Sequence, residues 1–153
     1  MAHISESIEV NCLVSEAYNQ WTQFEEFPRF MGSIEQVSQK DETHLHWKAR
    51  VAGRTVEWDA EITEQVPDQV IAWRATSGAQ NAGRVHFRGH DEHTHVSLEL
   101  DVEPEGAAQR AGDLLGVLQA QVRSDLSRFK ELIESRGEAS GAWRGEVKDG
   151  QTQ

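Results

Sequence analysis

The longest stretch of the sequence with a single hydrophobic period runs from residue 107 to residue 136. Steps of three and four place apolar residues on one face of an α-helix, and at 1.5 Å per residue this helix is about 45 Å long. Residues 104–106 (PEG) precede it and Gly137 follows it, as expected at helix ends. Such a helix is large enough to cover one face of a sheet. Its apolar residues are Ala111, Leu115, Leu118, Val122, Leu126, Phe129 and Ile133.

Two glycines, Gly112 and Gly116, interrupt the N-terminal half of this helix. Each costs about 1 kcal/mol relative to alanine in a helix interior. Either the helix packs closely against a strand at these positions, or it is thin where it borders a ligand cavity.

The composition limits the classes of protein that this chain can belong to. A chain of 153 residues is one domain with a real core, and its net charge of −11 argues against nucleic acid and anionic membranes as main partners. No apolar run approaches the roughly 20 residues of a membrane span. The start has no secretory pattern, and the lone Cys12 cannot form an internal disulfide. We therefore expect a cytoplasmic protein without integral membrane association.

A strand is predicted at residues 3–13, and two short helices follow it, one begun by Ser15 and one around Pro28. From residue 33 to residue 102 the period is two, which predicts about six antiparallel strands. Turns at 52–53, 67–68 and 91–92 set their registers. The predicted inner pairs are Trp47–Trp58, Ala49–Val56, Ala60–Ala75, Ile62–Trp73, Val85–Leu98 and Phe87–Val96, and the outer pairs are Lys48–Glu57, His46–Asp59, Glu61–Arg74 and Arg84–Glu99.

These elements predict an α+β fold in which an antiparallel sheet has one solvated face and one face covered by the long helix. A curved sheet leaves a gap where that helix is narrow, and an apolar gap is the usual form of a ligand site. The alternative is that the tryptophans simply fill the core. The predicted ligand-binding residues are Trp47, Trp58, Trp73, Val85 and Phe87 from the sheet, Leu115, Leu118 and Val122 from the helix, and Phe27, Phe30 and Met31, partly exposed, at the mouth.

No catalytic residue and no cofactor is predicted, because the inward positions carry no ionisable group. Glu64 shares the inward parity, and a bulge or an exposed strand end would account for it. The pairs His44/His46 and His93/His95 lie on the solvated face and lack further ligands. The sequence therefore predicts no metal site.

The chain divides into a ligand-binding domain, residues 1–137, and a polar C-terminal tail, residues 138–153. Trp143 is the one large apolar residue of this tail, and we consider that it docks on the domain.

Several strings resemble the START-like superfamily, and within it the polyketide cyclase/dehydrase and lipid-transport group. The resemblance covers about residues 3–136. It implies a helix-grip fold, in which a curved seven-stranded antiparallel sheet wraps around a long C-terminal helix, with two short helices after the first strand and an internal hydrophobic cavity. The strings are Ser15-Glu16-Ala17 leading to Trp21, residues 24–31 (FEEFPRFM), Trp47-Lys48-Ala49 and residues 125–130 (DLSRFK).

Members of this group bind lipids, sterols, quinones or polyketides, and some cyclise or dehydrate polyketide chains. The leading hypothesis is therefore binding or transport of a small hydrophobic ligand without covalent chemistry. A polyketide cyclase or dehydrase is the first alternative, although no inward arginine is evident for ring closure. An interaction module with a filled core is the second alternative.

Overall fold

The computed structural model describes residues 2–51, 53–78, 80–102, 111–136, 139 and 141–152. It confirms the α+β fold with a curved antiparallel sheet and a long C-terminal helix. The elements are β1 Ala2–Val10, α1 Val14–Trp21, a 3₁₀ helix Phe24–Arg29, β2 Ile34–Gln39, β3 His44–Val51, β4 Arg54–Val66, β5 Val70–Gly78, β6 Asn81–His90, β7 His93–Val102, α2 Ala111–Arg136, β8 Val147–Lys148 and β9 Gln151–Thr152.

Seven strands form the sheet in the order β1-β7-β6-β5-β4-β3-β2, and β8 and β9 extend it beside β4. The sheet therefore has two short strands more than expected, both from the C-terminal tail. The predicted start of the long helix at residues 107–110 lies outside the described residues.

The three hairpin registers are confirmed at every predicted pair. The turn after β4 is nevertheless one residue longer than predicted, because Val66 pairs with Val70 and Asp68 adopts a left-handed φ of 63°. A bulge between Ile62 and Glu64 absorbs the extra residue, so Ile62 still faces Trp73.

That bulge decides which way the end of β4 points. Glu64 is turned outward, and its carboxylate lies 3.6 Å from the Arg84 guanidinium. Gln65 is turned inward and is buried. The inward parity of Glu64 is thus removed by a bulge, one of the two explanations considered for it.

The first short helix begins two residues earlier than predicted. Leu13, not Ser15, is its N-cap, and no side chain caps the helix. The chain just before the helix is held from β7, because the Thr94 hydroxyl donates to the Cys12 carbonyl oxygen at 2.9 Å.

An aromatic cluster links the short helices to α2. The rings of Trp21 and Phe129 lie 4.8 Å apart, and those of Phe30 and Phe129 lie 5.3 Å apart. Phe27 joins the cluster by edge-to-face contact with Trp21 and Phe30. These contacts position the segment after α1 over the end of the sheet.

The C-terminal segment 141–148, called here the strap, docks across α1. The Trp143 amide donates to the Thr22 hydroxyl at 3.1 Å, and the indole packs half-buried against the core. The Arg144 guanidinium donates to the side chains of Asn19 and Asp68, at 2.6 and 2.9 Å. Val147 is fully buried and pairs with β4. Docking of Trp143 is thus confirmed, while the domain boundary at residue 137 stays a prediction.

The outer face of the sheet carries ion pairs, among them the one around His46. Its Nδ1 lies 2.8 Å from Asp59 and its Nε2 lies 3.2 Å from Glu57. Hydrogen bonds to Asp59 and then to Glu57 raise the pKa of His46, and the His46 contact, with Ser77 and Lys40, lowers the pKa of Asp59 to about 2.

A folded-state pKa above the unfolded value means that protonated His46 stabilises the fold at low pH. This stabilisation is complete below the unfolded pKa of about 6.5 and is lost as pH rises through the raised folded value. We expect His46→Asn to lower the melting temperature more at about pH 5.5 than at about pH 9. Thermal unfolding of His46→Asn tests this, with His86→Asn, on the same outer face, as the matched control. An equal loss at both pH values would contradict the assignment.

Candidate ligand-binding site

Three indole rings line the inner face of the central strands. Trp47 and Trp58 are stacked with ring centroids 5.7 Å apart and an interplanar angle of 8°. Trp73 lies 6.3 Å from Trp47 at 23°. The stack follows from register, because Trp47 pairs with Trp58 and Trp73 stands one strand further along, opposite Ile62.

Trp73 has room in the sheet because its partner on β6 is Gly83. A Cβ atom at Gly83 would overlap the Trp73 ring and would also crowd Leu100. The missing side chain is therefore a condition for the indole position.

Contacts with β1 show which part of α2 lies over this wall. The Lys130 ammonium donates to the Glu9 carbonyl oxygen at 3.2 Å, and the Arg123 Nε donates to Glu6 at 2.6 Å. The helix therefore runs parallel to β1. At about 1.5 Å per helical residue and about 3.3 Å per strand residue, the turn at Leu118 lies roughly level with Ile4.

Ile4 belongs to a row that crosses the sheet through Leu100 and Gly83 to Trp73. Leu118, in the N-terminal half of α2, is therefore level with the row that ends at Trp73. Burial changes along the strands. Fully buried inner residues that lie one or more rows closer to α1 than Trp73 are Ile71, Val85 and Val96. Inner residues that remain partly exposed towards the Leu118 end are Trp58, Ala75, Leu100 and Leu118.

The predicted site residues fall into two groups. Trp47, Trp73 and Val85 are buried in the sheet, and Trp58 is half-buried beside them. Val122 is buried on α2, Leu118 is partly buried, and the side chain of Leu115 lies outside the described residues. Phe87 belongs instead with the aromatic cluster, its ring 5.4 Å from that of Tyr18. The role of all these predicted residues in ligand binding stays a prediction.

The expectation of partial exposure at Phe27, Phe30 and Met31 is wrong. Their exposed fractions are 1%, 1% and 8%. The cause is Trp21, whose indole contacts both phenylalanine rings and holds them against α2. These residues form a closed end of the interior, and a ligand would reach them only from inside.

Gly116 distinguishes between the two explanations for glycine in α2. Among the described residues, no heavy atom lies within 4 Å of the position that its Cβ would occupy. Close packing against a strand is therefore wrong for Gly116. A thin helix beside a cavity stays a prediction.

Asp125 is an ionisable group that the sequence interpretation missed. It is buried on α2 and accepts hydrogen bonds from the Gly32 amide at 3.1 Å and from Gln121 Nε2 at 2.8 Å. Burial raises the pKa of Asp125 against the lowering effect of these bonds. The signal was available, because residue 125 is three positions after Val122, on the apolar face. The expectation of an inner face without ionisable groups is wrong at this position.

Within the described part of the chain, no three His, Cys, Asp or Glu side chains converge to hold a metal ion. Among the same residues, no helix is long and apolar enough to cross a membrane.

The fold and the aromatic interior define a helix-grip protein with an apolar wall between sheet and helix. The model of one family, polyketide cyclase/dehydrase and lipid transport, matches residues 10–131. The chain belongs to this family. An uncharacterized 17.2 kDa protein of Streptomyces lincolnensis is 48% identical over 149 residues, which cover 96% of this chain and 99% of that protein.

Solved structures agree with the fold. A Deinococcus radiodurans protein is 25% identical with a TM-score of 0.70, covering 89% of this chain and 99% of that one. The Zhui aromatase/cyclase of a Streptomyces species is 17% identical with a TM-score of 0.75, covering 93% and 99%. A START superfamily protein of Mycobacterium smegmatis is 14% identical with a TM-score of 0.71, covering 88% and 98%. The last two likenesses concern the fold alone.

Proposed function

We propose that this protein binds and carries a small hydrophobic ligand between the tryptophan wall and the N-terminal half of α2. The observation that supports this most directly is the incomplete covering of the wall. Trp58 and Ala75 are partly exposed on an inner face whose rows towards α1 are buried. Family membership supports the same kind of ligand, a lipid, a quinone or a polyketide-like molecule.

The chemistry of the wall favours a flat ligand that carries oxygen over a plain hydrocarbon chain. Stacked indoles offer flat apolar faces, which pair well with planar rings. The indole N–H groups of Trp47 and Trp58 are buried without a hydrogen-bond acceptor among the described residues. A buried donor without a partner is costly, so a ligand carbonyl that reached either group after a small ring rotation would be stabilised.

Two variants of opposite design test this proposal with menadione, a naphthoquinone, as probe. Ala75→Leu fills the space beside the tryptophan wall, and Trp58→Ala removes one of its three indole rings. We expect saturable quenching of tryptophan fluorescence by menadione, and an affinity at least tenfold weaker in Ala75→Leu. That variant is expected to keep its stability within about 1 kcal/mol, because the added atoms occupy space that no side chain uses. Trp143→Phe, which removes a tryptophan outside the interior, is the matched control.

The competing interpretation, a filled core, predicts a different pattern. Menadione would then fail to quench in a saturable way, and Ala75→Leu would cost about 1–3 kcal/mol by overpacking. That pair of results would overturn the ligand-binding proposal. Palmitic acid as a second probe distinguishes a carrier of flat oxygenated rings from a carrier of acyl chains.

A cyclase-type enzyme is the second candidate, and buried Asp125 is the observation that favours it. A carboxyl whose pKa is raised by burial is suited to hold and deliver a proton. Incubation with a linear poly-β-ketone thioester, followed by product analysis, separates the two functions. A cyclised or dehydrated product supports the enzyme, and recovery of intact bound substrate supports the carrier.

A further inference from the structure

A cleft lies outside the sheet–helix interior, where the strap crosses the end of α1. It is a half-open cleft of about 360 Å³, within the usual size range of small-molecule sites. Ala142 and Trp143 form its strap side, and residues 22–26, Gln39 and Gln65 form the rest. None of the ligand-binding residues predicted from the sequence lines it. The family match ends at residue 131, so the strap lies beyond the family's shared region.

The lining has a distinct chemistry. Trp143 and Phe24 supply aromatic surface, Glu25 and Glu26 supply carboxylates, and no Lys, Arg or His side chain is among the described lining residues. The Glu26 carboxylate forms ion pairs with Arg29 and Arg136, whose guanidinium nitrogens lie 3.6 and 3.8 Å from its Oε1. The Glu25 carboxylate accepts a hydrogen bond from the backbone amide of Gln39 at 3.0 Å. A carboxylate has lone pairs for further donors.

Gln65 gives independent evidence for a ligand. Its exposed fraction is 1%, and neither its amide nitrogen nor its amide oxygen has a hydrogen-bond partner among the described residues. Burial raises the pKa of the Tyr18 phenol to about 12, and the nearby Gln65 amide opposes this shift, although the two groups do not form a hydrogen bond of ordinary geometry. A buried amide without partners is costly unless something completes it.

We propose that this cleft binds a small organic cation with a planar nitrogen head, of the amidinium or guanidinium class. The N–H groups of such a head donate to the Glu25 carboxylate and, after a small rearrangement, to the Gln65 amide oxygen. Its flat cationic face stacks on the Trp143 indole, where cation–π attraction adds to the contact. Anions are disfavoured, because the described lining residues include two carboxylates and no cationic side chain.

The strap makes the site conditional. Trp143 reaches the cleft because Arg144 is anchored to Asn19 and Asp68 and because Val147 pairs with β4. The cation site exists only while the strap is docked, so the bound cation and the docked strap stabilise each other.

Benzamidine, benzamide and benzoate test this proposal, since they have similar shapes and differ in charge. The readout is the ¹H–¹⁵N signal of the Trp143 indole during titration of the full-length protein. We expect saturable shifts with benzamidine, weaker binding of benzamide and none of benzoate. Glu25→Gln is expected to weaken benzamidine binding about fivefold, as for an exposed charge pair. Glu92→Gln, in the distant turn between β6 and β7, should leave it unchanged.

Trp143→Ala should abolish benzamidine binding, measured for this variant by isothermal titration calorimetry because it lacks the indole signal. If it unseats the strap, protease sensitivity in the segment shows this, and Glu25→Gln still tests the cleft with the strap in place. Equal binding of benzamide and benzamidine, or unchanged binding in Glu25→Gln, would overturn the cation assignment. Saturation with menadione should not displace benzamidine, so this site and the proposed interior site can fail separately.

Discussion

Replacing Phe129 with alanine is expected to lower the free energy of unfolding by about 3–5 kcal/mol. Phe129 is fully buried on α2, and its ring meets those of Trp21 and Phe30. The loss has two parts, the transfer of apolar surface to water and the cavity left among rigid aromatic neighbours that cannot collapse into it. Urea denaturation followed by circular dichroism measures it.

Val117→Ala on the same helix is the matched control. Val117 is 50% exposed, so its truncation should change stability by about 0.5 kcal/mol or less. Phe129→Leu, which leaves a smaller cavity, should fall between the two. A loss below about 1 kcal/mol for Phe129→Ala would mean that α2 is not anchored by this cluster.

Gly83→Val should destabilise the protein by about 1–3 kcal/mol, because the added side chain occupies the space of the Trp73 ring. The indole must then leave its position beside Trp47. We therefore expect two signs together, a lower urea midpoint and a loss of the near-ultraviolet circular dichroism of the indole stack. Menadione binding should also weaken if the interior proposal is right.

A double-mutant cycle with Trp73→Leu isolates the cause. In the Trp73→Leu background the clash with the indole is absent, so Gly83→Val should cost at least about 1 kcal/mol less there than in the parent. Equal costs in both backgrounds would show that the effect comes from backbone strain at position 83 and not from the ring.

The strand registers were predictable because a side-chain period of two ties each register to a whole face. A slip by one residue would have turned Trp47 and Trp58 to solvent. Trp73 and Ile62 kept their predicted pairing even though the turn after β4 was longer than expected. The bulge repaired the register locally, and turn length alone would have predicted a shift there.

Other features could not be read from local periodicity. Gln65 points inward because of the bulge, and no alternation rule predicts the position of a bulge. Phe27 and Phe30 are covered by Trp21 and Phe129, which are distant in sequence from one another. Asp125 is the exception, since helical spacing did place it on the apolar face of α2 and its polarity alone concealed it.

The strap also pairs with a strand edge whose backbone would otherwise be exposed. Beyond the start of β3, the end of β4 would present unpaired amide and carbonyl groups, the arrangement that lets separate molecules join through their sheets. Val147 and Lys148 take that place by pairing with Gln65 and Glu64. Residues 147–148 thus cover this edge against pairing with a second molecule, and a truncation that removes them would expose it.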